Sequence, residues 1–241
     1  MVATAEESFD PDLDPLAVEF EVGRALSALP RLERKGGGIA NTIRAGEEAG
    51  LLKGFLAQIP PMEPQKRQQV LLNLTLNTAA QSMIQEGPEH AKFGWTHCFT
   101  LPQAAWSLAP SLPERVQVPQ VASSWVLAFQ ATLSQVDFAY DYVPPKTSGS
   151  LAAALEASPP EAAALAYHAP REDHPDMVTE LVTQALIRRD AHLSKYVRAC
   201  IDATKMNPSR ASTYLAGAAY LTALWMAEHP QEELMGVLNQ G

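Results

Sequence analysis

Apolar residues recur every three or four positions along most of this chain, and this spacing constrains its fold more than any other sequence feature. The period matches the 3.6 residues per turn of an α-helix, whereas a strand exposed on one face needs strict alternation. Aromatic residues make up only 7% of the sequence, and alanine and leucine are abundant, a composition that helices accept and strands disfavour. The sequence therefore predicts an all-α protein.

Prolines, glycines and capping signals divide this pattern into segments. We predict a flexible acidic segment over residues 1–15, followed by a single-domain bundle of about eight helices over residues 16–241. The final helix, residues 211–228, is apolar nearly all round, which is typical of a helix at the centre of a bundle.

Three further predictions concern helix boundaries. Residues 39–59 and residues 176–205 are each predicted as one helix, because their apolar spacing continues through both ranges. Thr100-Leu101-Pro102-Gln103 fits a capping box with proline in the first turn, so we expect a new helix to begin there, after a helix over residues 89–99.

Charge and composition disfavour several classes of protein. The formal net charge is −9 and the basic residues are scattered, whereas a nucleic-acid-binding protein normally has a basic face. The sequence lacks an apolar run of about 18 residues and the pattern of a signal peptide. Cys98 and Cys200 are too few for a disulfide framework. We therefore expect a cytoplasmic protein that binds neither nucleic acid nor membrane, and we leave a homodimer open.

His192 is the most informative of the six histidines. It continues an apolar row of the helix predicted over residues 176–205, and Lys195, three residues later, lies beside it on the helix surface. Burying a lysine is unfavourable unless it is paired, neutralised or modified, so Lys195 either extends to solvent or has a special role. A histidine at the edge of the core with a solvated lysine is the plainer interpretation.

Two other histidines can share a site with His192. His97 lies among aromatic residues just before the predicted capping box, and His168 ends a short helix just before the long one. His97 can also merely satisfy a turn carbonyl, and His168 can fold back toward the same core. Imidazoles from different helices that meet in a bundle would suit Fe, Zn, Cu or Ni, with positions left open for a substrate or O₂.

Two stretches of the sequence resemble the questin oxidase-like family. The first is RDAHLSKYVRACIDA, residues 189–203, which is followed by Asn207-Pro208 and an alanine-rich last helix. The second is HCFTLPQAA, residues 97–105. The resemblance implies a helical, cytoplasmic oxygenase of secondary metabolism that acts on polycyclic aromatic polyketides.

The resemblance also implies non-haem iron, or another first-row transition metal, held by several histidines and a lysine whose amine can be carbamylated. Carried over to this chain, the implied metal ligands are His192 and Lys195, then His97, then His168. His192 and Lys195 are also the implied catalytic residues. A carbamate would turn the cationic Lys195 into an anionic oxygen ligand beside His192.

Our leading hypothesis is an oxygenase or oxidase with an apolar aromatic substrate. We predict that the substrate lies against four aromatic side chains, although such residues more often belong to the plain core: Trp95, Trp106, Trp125 and Tyr196. One alternative is a catalytically silent helical protein that binds a hydrophobic small molecule or a partner subunit. Another is a cofactor-free cyclase or isomerase that uses His192 with Asp190 or Asp202 as acid and base.

Overall fold

A computed structural model describes residues 13–33, 35–87, 89, 92–108 and 118–229 of the chain. These residues contain eleven α-helices and no strand, which confirms the all-α prediction. The helices are α1 (Pro15–Ala25), α2 (Ile39–Glu48), α3 (Leu51–Leu56), α4 (Pro64–Gln85), α5 (Lys92–Leu108), α6 (Val118–Leu133), α7 (Leu151–Ala157), α8 (Pro159–His168), α9 (His174–Arg188), α10 (Ala191–Met206) and α11 (Ala211–Glu228). Within the described part of the chain, no helix has both the length and the apolar character that crossing a bilayer requires.

The predicted acidic segment lies mostly outside the described residues, which begin at Leu13. Its last residues already belong to the helical structure. The side chain of Asp14 accepts a hydrogen bond from the backbone N–H of Leu16 at 3.0 Å, and Pro15 occupies the first turn of α1. This is a normal helix start, in which a carboxylate satisfies one of the free N–H groups.

Two segments predicted as single helices are each divided in two. Residues 39–59 break at Gly50, whose φ of 65° is left-handed and therefore ends α2 before α3 begins. Residues 176–205 break at Arg189, with φ 52°, and Asp190 then caps the start of α10. The apolar period continues across both breaks, so periodicity alone did not reveal them, and the described residues contain more helices than the eight or so predicted.

The capping box predicted at Thr100 is wrong. Pro102 lies inside the single helix α5, and the Thr100 hydroxyl donates a hydrogen bond to the Thr96 carbonyl at 2.9 Å. The Thr100 hydroxyl thus donates to a carbonyl of the preceding helical turn. An N-cap side chain would instead accept a hydrogen bond from a backbone N–H of the following turn. The helix predicted over residues 89–99 is therefore continuous with its successor from Lys92 onward.

Helix α11 lies in the interior, in agreement with its apolar character. Almost every residue from Ala211 to Trp225 is buried, and the helix packs against α4, α7, α8 and α10. The larger hydrophobic core surrounds it, and a smaller one lies among α1, α3, α4 and α6. Helix α4 contributes to both cores, with Leu76 in the larger one and Leu74 in the smaller one.

A buried ion pair joins the first described helix to the start of the last. The Glu19 carboxylate is fully buried, and its Oε1 accepts hydrogen bonds from Arg210 Nε and the Tyr140 hydroxyl, both at 2.9 Å. The Arg210 guanidinium also lies 4.1 Å from the centre of the Phe20 ring. Because both charges are shielded from water, each depends on the other for compensation.

We expect Arg210→Ala to destabilise the protein by about 3–5 kcal/mol, because it leaves the Glu19 carboxylate buried without its counter-ion. The matched control is Arg24→Ala, which removes an ion pair with Asp141 whose arginine is largely exposed, and its expected effect is at most about 1 kcal/mol. Urea unfolding followed by circular dichroism measures both. Equal losses of stability in the two variants would contradict the assigned role of the buried pair.

Candidate functional site

Helices α5 and α10 bring together His97 and His192, which are distant in the sequence. The centres of the two imidazole rings are 5.9 Å apart, and the ring planes are nearly perpendicular. One turn before His97, the Phe93 ring contacts His192 edge-on at 5.2 Å and also contacts Trp225 of α11. The histidine pair is therefore held by aromatic packing among three helices.

His192 lies in the first turn of α10, not in the interior of a long helix as the sequence pattern suggested. Asp190 caps this helix, and its Oδ1 accepts hydrogen bonds from the backbone N–H groups of His192 at 2.7 Å and Leu193 at 2.8 Å. The same oxygen lies 3.9 Å from Nδ1 of His192. The cap thus fixes the backbone of His192 and places a negative charge beside its ring.

A groove of about 420 Å³ runs between α5 and α10, and both histidines line it. Lys195 and Arg198 of α10 lie along the same groove, and both are exposed side chains. The described residues that line this groove include no carboxylate. The groove consequently combines two imidazoles with two cationic groups and is open to solvent.

A second, larger cleft lies on the other side of His97. It has a volume of about 710 Å³ and is formed by the start of α2, by α5 and by the end of α6. Apolar side chains from all three elements line this cleft, namely Ile39, Phe93, Phe129 and Leu133. Threonine, serine and glutamine residues line it toward the end of α6. Its volume is in the range of cavities that bind small organic molecules, and His97 lines both it and the groove.

The electrostatic environment of His97 favours its neutral form. Partial burial lowers the pKa of this ring below the ordinary value of 6.5, and the nearby His192 and Lys195 lower it further. Burial disfavours the charged ring, and neighbouring positive charge repels it. At neutral pH the His97 ring therefore has a free nitrogen lone pair that can accept a proton or bind a metal.

The donor atoms at this site fit a transition metal in part. Two neighbouring imidazoles are suitable ligands, but the described residues contain no group of three or more histidine, cysteine, aspartate or glutamate side chains that could hold an ion. Lys195 lines the same groove and would have to supply the further ligand. A lysine does so only when its amine is neutral or carbamylated.

His168 does not lie with the other candidate ligands. Its Nε2 is 2.7 Å from the Pro144 carbonyl oxygen, so the ring makes a local hydrogen bond. It lines a separate cavity of about 490 Å³ that is formed by α7, α8, α9 and the adjoining loops, and neither His97 nor His192 belongs to the lining of that cavity. The structure therefore brings together three of the four residues proposed as metal ligands.

The four aromatic residues proposed to bind substrate lie elsewhere. Trp95 and Tyr196 are fully buried in the larger core, and Trp106 and Trp125 are half-buried against it. None of the four lines the groove or the cleft described above. The aromatic residues that line the cleft are Phe93 and Phe129. Phe93 could have been identified from the sequence, because it lies one helical turn before His97.

Comparisons with known proteins found no relative of this chain. The sequence matches no protein-family model, and neither the curated proteins nor the solved structures include a significant match. Any function assigned to the chain rests on the residues of the site.

We expect His97 to titrate below pH 6.5, and Lys195→Gln to move its pKa upward by removing a repulsive charge. NMR titration of the histidine ring protons measures this, and Lys205→Gln, in the same helix but away from the groove, should leave His97 unchanged. An unchanged His97 pKa in Lys195→Gln would contradict the proximity of the two groups.

The lowered pKa of His97 also makes the free energy of unfolding depend on pH. Below pH 6.5 the unfolded chain takes up a proton at His97 that the folded ring resists, so folded stability decreases as the pH falls from 6.5 toward the lowered pKa. Below that pKa, both states are protonated at this ring and its contribution no longer changes. His97→Gln should remove this part of the pH dependence in urea unfolding.

Proposed function

We propose that the chain is a metal-dependent oxidoreductase that acts on an apolar aromatic or polyketide-type small molecule. The observation that carries this proposal is the convergence of His97, His192 and Lys195 on one groove that adjoins a cleft of ligand size. The resemblance to the questin oxidase-like family supports the same three residues.

The proposed ligands of a non-haem iron, or of another first-row transition metal, are His97, His192 and Lys195. The lowered pKa of His97 keeps its lone pair available at neutral pH, which a metal ligand requires. The Lys195 ammonium would lose one proton to give the neutral amine, whose lone pair would attack the carbon of CO₂, and loss of a second proton would leave a carbamate that supplies the anionic oxygen that the groove otherwise lacks. When bound, such a metal would supply the activation of O₂.

We assign substrate binding to the cleft that adjoins His97. Phe93 provides an exposed flat apolar surface, and Ile39 adds an exposed apolar side chain at the start of α2. Phe129 also lines the cleft but is almost completely buried, and Trp125 stacks on it with the ring centres 6.2 Å apart. A molecule in this cleft would lie directly beside His97.

A second candidate is a metal-free enzyme that catalyses proton transfer. It is favoured by the groove lining, in which neutral His97 can accept a proton while Lys195 and Arg198 stabilise the developing negative charge. Asp190 is already used as the cap of α10, and Asp202 is paired with Arg198 at 2.7 Å, so His97 is a better base than either carboxylate. A catalytically silent binding protein would use the same cleft without this chemistry.

We also propose that residues 16–241 form one cytoplasmic domain. The participation of helix α4 in both hydrophobic cores supports a single domain. Cys98 and Cys200 are both buried free thiols, which is consistent with a reducing compartment.

Metal content distinguishes the two candidate chemistries. We expect protein purified from iron-supplemented cells to contain close to one first-row transition metal ion per chain by elemental analysis. His97→Ala and His192→Ala should each lose it, whereas His168→Ala should retain it because His168 lies at another cavity. Circular dichroism controls for folding. Folded wild-type protein that holds no metal even after anaerobic reconstitution with Fe²⁺ would reject the metal-dependent function and favour proton transfer.

A separate experiment tests whether Lys195 is a metal ligand. Lys195→Ala should reduce metal retention, and a short carboxylic acid such as formate should restore it in part by occupying the position of the lost carbamate. Lys205→Ala is the matched control in the same helix and should behave as the wild type. Full metal retention in Lys195→Ala would show that this residue is not a ligand.

A further inference from the structure

Arg188, the last residue of α9, is buried but has no carboxylate partner in the part of the chain that the structure describes. Only 6% of its surface is exposed, and its Nε has no hydrogen-bond partner there. Its Nη1 donates a hydrogen bond to the carbonyl oxygen of His229, which follows the end of α11. A neutral carbonyl does not compensate the charge of a guanidinium that is shielded from water, so an anionic partner is expected at this position.

The acidic residues next to Arg188 and His229 in the sequence already have other partners. Asp190 caps α10, where its Oδ1 accepts hydrogen bonds from two backbone N–H groups. Glu228 forms an ion pair with Lys92 of α5. A carboxylate for the buried guanidinium must therefore come from elsewhere.

The chain continues from the carbonyl that holds this guanidinium into a segment with two adjacent acids. Residues 230–241 lie outside the described residues, and Glu232 and Glu233 are the third and fourth residues after His229. Three or four residues span at most about 10–14 Å, so both carboxylates stay within reach of the guanidinium. Pro230 favours the second position of a β-turn, and such a turn would place the Cα of Glu232 within about 7 Å of that of His229.

We propose that Arg188 is a carboxylate-binding site whose occupant is the acidic pair Glu232-Glu233 of the same chain. The ion pair compensates the buried guanidinium and docks residues 230–241 at the junction of α9 and α11. A planar guanidinium can bind one carboxylate through two N–H groups, and the unpaired Nε is suited to be one of them. The proposal is independent of the function assigned above, because Arg188 lines neither the groove nor the cleft beside His97.

Hydrogen–deuterium exchange of the full chain, measured by mass spectrometry on peptides from residues 230–241, tests the docking. We expect the backbone N–H groups of this segment to exchange at least about tenfold faster in Glu232→Gln/Glu233→Gln than in the wild type, because hydrogen bonds between charged groups are lost. The matched control is Glu47→Gln/Glu48→Gln, an exposed acidic pair at the end of α2, which should exchange as the wild type does. Equal exchange in all three proteins overturns the proposal.

A double-mutant cycle in urea unfolding tests the partner. Arg188→Gln and Glu232→Gln/Glu233→Gln should each lower the urea midpoint, and their combination should lower it no further than Arg188→Gln alone, because both changes remove the same ion pair. The Glu47→Gln/Glu48→Gln change should instead add its own effect to that of Arg188→Gln. If Arg188→Gln does not fold, the exchange of the glutamate variant decides. Additive losses, or a glutamate variant as stable as the wild type, overturn the proposal and leave the guanidinium to an anion from outside the chain.

Discussion

The packing of Phe99 against Tyr196 and Tyr214 fixes the position of α5 relative to α10 and α11, and the candidate site depends on it. The Phe99 ring centre lies 5.4 Å from that of Tyr196 and 5.6 Å from that of Tyr214, in both cases edge-on. His97 is two residues before Phe99, and His192 is one helical turn before Tyr196. A shift of α5 along α10 by one turn would separate the histidines while leaving each helix intact.

This packing also requires a small residue on α11. A Cβ atom added to Gly217 would lie 2.9 Å from the Tyr196 hydroxyl oxygen, closer than van der Waals contact permits. Glycine therefore allows the tyrosine to lie against α11, although it is unfavourable inside a helix. Tyr196, which the sequence suggested for substrate binding, is fully buried in this packing between α5, α10 and α11.

The helical fold could be predicted from apolar periodicity because nearly every helix buries one face, whereas the helix boundaries could not. At Arg189 and at Thr100, local conformation and tertiary packing decide whether the chain breaks or continues, and the apolar spacing is the same in either case. For the site, the sequence identified His97, His192 and Lys195 as candidates. It could not identify the cleft beside them, because that cleft exists only where α2, α5 and α6 meet.

The charge of Lys195 connects the two chemistries considered for the site. As an ammonium it adds positive charge to a groove in which the other cationic side chain, Arg198, is paired with Asp202, and the charge of Lys195 opposes a divalent cation while favouring an anionic substrate or intermediate. As a carbamate it would reverse sign, and Arg198 would then stabilise it while the imidazoles would gain an anionic co-ligand. Under both proposals the same arrangement of side chains would carry the chemistry, and the modification state of the Lys195 amine would determine whether metal-dependent oxidation or proton transfer is electrostatically favourable.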